Sequence, residues 1–538
     1  MVKPSSADRR FARAITLIVV AALVLRLTRI GSNSFWVDEI NVLSFVRSGH
    51  LLSELRSRGG PFESPLHYVI IWVASYLPFG FETCARVPAA GFGAVEVLGI
   101  GLLVRRLTAR RDVALLASAI LAVAPFAVRY SQEARYYTTF SALHLVSWWL
   151  LVRAFQLRTR ASFLWWGVGT AALILAHPFS PLVVIVQLSV IGVLARRAHR
   201  RGEIRGAREV VQDAFRACVL AGLIVLPWYL WGMFRWVPDL IDGRSYQLNP
   251  GTREQVTLSF DLVVRVAQSL LANGGRWTFL SLFVVLMAVG SVTCSRGRCR
   301  RVALAMSLYT VGFLVALVPM AHVLNTYFAM RRIEFLLPPT IGVAAIGICA
   351  VSDRVRERWP MHVVGRQVQT ALISAVLGLS LIAVVVYFTT EKTNYRALAA
   401  VIAGTPSPDV IVVGPVDYRW PPAIVSYLAW RGVHRDLRFI VSGRKLPRLP
   451  GRPGRVVWVT GSRPGGHGFR TRALNSVPDL QVIAGDRTSP GAVLPWFVST
   501  SSPSTSGELK KQLDEISRVA VLLNAPDSHL PWSLFTGR

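Results

Sequence analysis

The chain has 538 residues, with 60 Lys and Arg against 29 Asp and Glu for a net charge of +31. Apolar residues make up 52% and charged residues 17%, short of the roughly 25% charged residues of soluble proteins, and the mean hydropathy is +0.44. These values exclude a disordered chain, a collagen, a coiled coil and a string of soluble domains. They predict a polytopic α-helical membrane protein with one soluble appendage.

The first apolar run, residues 12–30, follows Arg9, Arg10 and Arg13 and has no small-residue cleavage site after it. It reads as an uncleaved span with the N-terminus in the cytoplasm. Further runs cover residues 86–104, 113–128, 138–155, 163–176, 179–195, 217–234, 277–293, 302–319, 333–351 and 368–388, for about 11 spans in all. Residues 65–78 are also apolar, but the stretch is short and has Pro at both ends. If it crossed, the clusters Arg105/Arg106, Arg110/Arg111, Arg158/Arg160 and 196–208 would fall outside. If it lies along the membrane surface they all fall inside, as does 296–301, and the positive-inside rule favours that arrangement. The same clustering places the basic residues in membrane-flanking loops and argues against nucleic acid as a partner. Five scattered Cys show neither CxxC nor metal-ligand spacing.

From residue 389 the apolar runs shorten to strand length, at 410–413, 439–441, 456–460, 482–484 and 493–499. They alternate with helical stretches at 394–403, 422–431 and 508–523. The expected organisation is a transmembrane domain over residues 1–388 and an extracytoplasmic α/β domain over 389–538. The Gly-rich stretch 464–468 reads as a plain turn.

The loops left outside hold the residues suited to chemistry. Asp38 and Glu39 follow Phe35 and Trp36 directly after the first span. A helix cap accounts for such a pair, but beside Trp at the membrane surface desolvation also raises carboxylate basicity, as a general base requires. Glu63 enters the surface stretch between Pro61 and Pro65, and with His67 it could bind a divalent cation. Residues 129–137, Arg-Tyr-Ser-Gln-Glu-Ala-Arg-Tyr-Tyr, join two spans; interfacial Tyr anchors with an Arg–Glu pair are the simpler account of them. His177 lies in an otherwise apolar turn. Arg331 and Arg332 stand at an outer face where cations are disfavoured, and guanidinium forks suit phosphate. Glu96, inside a span, is a functional candidate by its position, and a buried partner such as Arg26 explains it equally well.

Taken in order, these motifs resemble the GT-C glycosyltransferases of the protein mannosyltransferase and aminoarabinose transferase type. The resemblance rests on Asp38-Glu39, on Phe62-Glu63-Ser64-Pro65, on the loop 131–137 and on Arg331/Arg332 before Leu337-Pro338-Pro339. It implies a GT-C fold and a monosaccharide donor carried on polyprenyl phosphate. It implies that Asp38 is the catalytic base, with Glu39 and Glu133 in the catalytic set. Arg135, Tyr136 and Glu63 would contact substrate, and Arg331 and Arg332 would hold the lipid phosphate. One divalent metal ion on Glu63 and His177 is the implied cofactor. The partners would be the lipid-linked donor, a protein, lipid or cell-wall glycan acceptor, and membrane lipids, at the plasma membrane. Two departures stand out: Ser64 replaces the Lys of the aminoarabinose branch, which argues against that sugar, and Glu133 stands where that branch has Asp. Residues 237–276 could form a lid through the amphipathic stretch 259–271. The rival reading is a transporter or flippase of polyprenyl-linked glycans, which predicts acids along a path and repeat symmetry. A third, a scaffold binding cell-wall polymer, leaves the membrane-face acids unexplained.

Overall fold

The computed structural model describes residues 5–36, 39–40, 42, 51, 55, 64–241, 297–323, 330–358, 362–389, 391–392, 395–404, 409–414, 427–428, 430, 436–441, 455–461, 480–483, 486–487 and 496–501. Asp38, Glu63, the expected span 277–293, the lid stretch 259–271, the turn 464–468 and the expected helix 508–523 lie outside them, as does the side chain of Arg332. The chain divides into two units, Met1–Ile30 with Phe45–Val384, and Gly31–Ser44 with Val385–Arg538.

The first unit is helical. Its elements are α1 (Ser6–Leu27), α2 (Pro65–Ala74), α3 (Phe81–Thr108), α4 (Arg111–Val123), α5 (Pro125–Tyr130), α6 (Tyr137–Leu157), α7 (Arg160–Ala176), α8 (Ser180–Arg200), α9 (Ile204–Ile241) and α10 (Arg298–Val323). A 3-10 turn (Met330–Leu336), α11 (Leu337–Arg358) and α12 (His362–Thr389) follow. Among the described residues seven helices are long and apolar enough to cross a membrane. Their outward faces carry bare apolar side chains, such as Phe215 and Val315 at 67% exposure and Leu223 at 63%. That is the surface of a polytopic membrane protein, with lipid as its solvent. Every expected run except 277–293 falls on a described helix. The run 113–128 is divided, because Pro125 has no N–H to continue α4 and starts α5 instead.

Ion pairs mark one end of the bundle. Asp8, near the start of α1, pairs with Arg105 at the end of α3 and with Arg111 at the start of α4. Arg110 pairs with Asp353 near the end of α11. Arg298, opening α10, donates to the carbonyls of Arg106 and Leu107 at 2.8 and 2.6 Å. At the other end Arg86 donates to the Ile30 carbonyl at 3.0 Å. The chain therefore leaves α1 and enters α3 at the same end. Helix α2, with 10 residues, is about 15 Å long, half of a hydrocarbon core of about 30 Å. It adds no net crossing between them.

Close helix contacts rely on small residues, as is usual where lipid replaces water as solvent. A Cβ at Gly167 of α7 would stand 2.5 Å from the Ala217 carbonyl oxygen of α9. That neighbour is backbone and cannot swing away. Gly167→Val should therefore cost about 1–3 kcal/mol or more through forced separation of the two helices, read as a lower melting temperature in detergent. Gly91, with open space at its Cβ position, serves as the control for helix propensity.

In the second unit, α13 (Tyr395–Gly404) lies beside the segment Gly31–Ser44. The Tyr395 N–H donates to Ser34 Oγ at 3.2 Å and Arg396 to the Ser32 carbonyl at 2.9 Å. The Phe35 N–H donates to the Tyr427 hydroxyl at 2.6 Å, and the Phe35 ring meets the rings of Tyr427 and Trp430 at 6.4 and 5.8 Å. The strands are β1 (Glu391–Lys392), β2 (Asp409–Gly414), β3 (Asp436–Val441), β4 (Arg455–Gly461), β5 (Leu480–Ile483), β6 (Asp486–Arg487) and β7 (Trp496–Ser501). Five form one sheet in the order β3-β2-β4-β7-β5; β2 runs parallel to β3 and β4, and β7 antiparallel to β4 and β5.

Candidate active site

The loop between α5 and α6 forms the centre of the site, and Arg26 of α1 anchors it. Arg26 is fully buried. Its guanidinium donates to the Leu121 carbonyl at 3.2 Å, to that of Ala122 at 2.9 Å and to Ser131 Oγ at 3.1 Å. Pro125 lacks the N–H that would otherwise serve the Leu121 carbonyl, so the arginine caps a helix broken by proline. Gln132 returns the interaction, donating its amide to the carbonyls of Arg26 and Thr28 at 2.9 and 2.8 Å. Gly93 of α3 makes room: a Cβ there would lie 2.3 Å from Ser131 Oγ and 2.6 Å from Arg26 Nε. Glu96 accepts from Ser141 at 2.6 Å and has Arg26, its candidate partner, as an electrostatic neighbour.

Around this loop stand most of the residues singled out from the sequence. Glu133 is 3% exposed and lies 3.7 Å from Arg129 Nε. The Arg135 guanidinium covers the Tyr136 and Tyr137 rings at 4.8 and 5.7 Å. Arg331, on the 3-10 turn, donates from Nε to the Tyr137 hydroxyl at 2.8 Å. Burial raises the pKa of Tyr130, whose charged neighbours Arg129, Glu133 and Arg331 come from both segments. The Tyr136 ring packs edge-on against His177 at 4.9 Å. So Glu133, Arg135, Tyr136, His177 and Arg331 share one end of the bundle, the end opposite the Asp8 ion pairs. Glu39 belongs to the other unit. It is fully buried, and its Oε2 accepts from the Trp36 N–H at 3.2 Å, which closes the Trp36–Glu39 turn as a cap does.

From the sequence alone, three contributors had no role of their own. Tyr137 links Arg331 to the loop. Gln132 and Ser131 tie the loop to Arg26. Glu334 is 1% exposed, and neither carboxyl oxygen has a hydrogen-bond partner among the described residues. The run of charged and polar types in residues 129–137 was the available signal for the first two. Nothing in the local sequence announced the third.

No family model matches the chain, and no curated protein matches it in sequence. Solved structures do. ArnT from Cupriavidus metallidurans in the apo state aligns over 90% of this chain and 97% of its own, at 12% identity and a TM-score of 0.51. ArnT from the same organism bound to undecaprenyl phosphate aligns over 92% and 98%, at 13% identity and a TM-score of 0.49. The archaeal oligosaccharyltransferase AglB from Archaeoglobus fulgidus, in complex with an inhibitory peptide and a dolichol-phosphate, aligns over 79% and 64%, at 12% identity and a TM-score of 0.46. The chain has a GT-C fold.

In this GT-C fold the described residues do not make a metal centre. No three His, Cys, Asp or Glu side chains converge among them. His177 already accepts the Phe179 N–H on Nδ1 at 3.0 Å and stacks on Phe140 at 4.3 Å.

Helix α2 reaches the same end of the GT-C bundle, where His67 Nε2 contacts the Ala134 carbonyl at 3.3 Å. Burial, with Arg135 adding to it, lowers the His67 pKa to about 3 from 6.5. Below pH 6.5 the unfolded chain takes up a proton that the folded one refuses until about pH 3. Stability should therefore fall as pH drops through that window. Melting temperatures at pH 7.5 and 5 should show it, and His67→Gln should flatten the difference.

Proposed function

We propose that this chain is a membrane glycosyltransferase that moves a monosaccharide from a polyprenyl-phosphate donor to an acceptor hydroxyl. The observation that carries the reading is the meeting of Arg331, Tyr137, Arg135 and Glu133 at one end of a GT-C bundle. Cations on a hydrophobic bundle's rim suit a ligand with an anionic head and an apolar tail. The donor class is carried over from ArnT, solved with undecaprenyl phosphate. We assign that end to the extracytoplasmic side of the plasma membrane, with the N-terminus in the cytoplasm and residues 389–538 as an extracytoplasmic domain.

In this reading Asp38 takes the proton of the acceptor hydroxyl as its oxygen attacks the anomeric carbon from the face opposite the phosphate. The bond from that carbon to the phosphate oxygen breaks, and polyprenyl phosphate leaves. A phosphate ester is a weak base, so it departs without a general acid, and the sugar's configuration inverts. Arg331, with Arg332, steadies the charge growing on the departing phosphate. Glu39 supports Asp38 as the base. Arg135, Tyr136 and Glu63 bind the donor, and Glu133 belongs to the catalytic set.

The test is transfer by the reconstituted protein from polyprenyl-phosphate sugars, with release of polyprenyl phosphate and the product anomer read by NMR. Arg331→Met should raise KM for the donor about 10- to 100-fold, the worth of a charged hydrogen bond. A retained anomeric configuration would end the single-displacement reading.

A further inference from the structure

The reaction above uses neither Ser64 nor His67, yet both are buried at its edge, at 1% and 2% exposure. Ser64 precedes α2, and its carbonyl accepts the His67 N–H at 3.0 Å. The two side chains therefore share one turn and one helix face. The Ser64 hydroxyl does not cap the helix, and it has no hydrogen-bond partner among the described residues. Neither has His67 Nδ1. A carbonyl only accepts, so the contact with Ala134 puts the imidazole proton on Nε2 and leaves Nδ1 a lone pair. Proteins rarely leave a buried donor and a buried acceptor unused within one helical turn; water or a ligand completes them.

We propose that Ser64 Oγ and His67 Nδ1 together receive one hydroxyl of the transferred sugar, and so select a neutral monosaccharide over a cationic aminosugar. The inference rests on the glycosyltransferase reading of the same site. A sugar hydroxyl donates to Nδ1 and accepts from Ser64, satisfying both groups at once. A carboxylate cannot donate to Nδ1. An ammonium cannot accept from Ser64, and it would meet the positive charge of Arg135, which already acts on His67. Burial and that same charge keep His67 neutral, so the lone pair is present at physiological pH. The neighbouring rings complete the subsite. Tyr136 stands edge-on to His67 at 6.0 Å and to His177 at 4.9 Å, an aromatic wall suited to the C–H face of a sugar ring.

The experiment uses full-length protein in nanodiscs, with decaprenyl-phosphate donors carrying mannose, arabinose or 4-amino-4-deoxyarabinose. Sugar-free decaprenyl phosphate serves as inhibitor. His67→Gln keeps an N–H for the Ala134 carbonyl but has no acceptor at the Nδ1 position. His67→Asn places an acceptor there. The wild type should prefer a neutral donor. His67→Gln and Ser64→Ala should each raise KM for that donor about tenfold, with inhibition by the sugar-free lipid unchanged, and His67→Asn should recover part of the loss. An unchanged KM in both variants, an equal weakening of the sugar-free lipid, or a wild-type preference for the amino donor would each overturn the inference. If the wild type uses no polyprenyl-phosphate donor at all, the glycosyltransferase reading falls and takes this inference with it.

Discussion

Asp38→Asn should abolish sugar transfer while leaving the protein folded and able to bind its lipid donor. An amide cannot accept the acceptor's proton at neutral pH, and loss of a positioned general base costs about 10²- to 10⁴-fold in rate. Binding should survive because the proposed phosphate contacts come from elsewhere, from Arg331 on the 3-10 turn, held by the Tyr137 hydroxyl. The decisive pair of measurements is kcat with a saturating donor and Kd for sugar-free polyprenyl phosphate. A large fall in the first with the second constant supports the assignment. Turnover near that of the wild type would remove Asp38 as the base. Glu39→Gln should be milder, since the amide oxygen can still accept from the Trp36 N–H that Oε2 now holds.

The largest loss of stability is expected from Arg26→Leu. The substitution removes the donor to Leu121, Ala122 and Ser131 in one step. It also takes the positive neighbour away from the buried carboxyls of Glu96 and Glu334. Breaking a buried charged network from one side costs about 3–5 kcal/mol, because the partners stay behind unpaired. Thermal unfolding in detergent should show a large drop for Arg26→Leu and a smaller one for Arg26→Lys, whose ammonium can reach some of the same oxygens. Gln132 accounts for the sparing of one link, since it bonds the backbone carbonyl of residue 26 whatever the side chain. Gly93→Val should mimic Arg26→Leu, because its side chain would occupy the space of Arg26 Nε and Ser131 Oγ. An Arg26→Leu protein as stable as the wild type would show that the capped proline break is not a keystone of the bundle.

The sequence made the membrane character legible because it is carried by composition and by long apolar runs, and the GT-C fold through the resemblance that its motifs carry when taken in order. A span must satisfy its backbone within itself, so its signal is local and additive. The short, proline-bracketed stretch was legible for the same reason: ten helical residues cannot cross, and the basic clusters share one end only if they do not. Arg331 stood out because a cation at the outer face runs against the positive-inside rule, and Arg135 and Tyr136 through the motif they belong to. What only the tertiary structure decided is who meets whom. Arg26 was one explanation for Glu96, and it does stand near as its charged neighbour, but its hydrogen bonds close a proline-broken helix and Ser141 donates to the carboxyl. Tyr137, part of the loop motif but without a role of its own there, is the contact for an arginine almost two hundred positions away. Such pairings depend on which helix faces happen to adjoin and on where a glycine leaves room. No local pattern of residues records either.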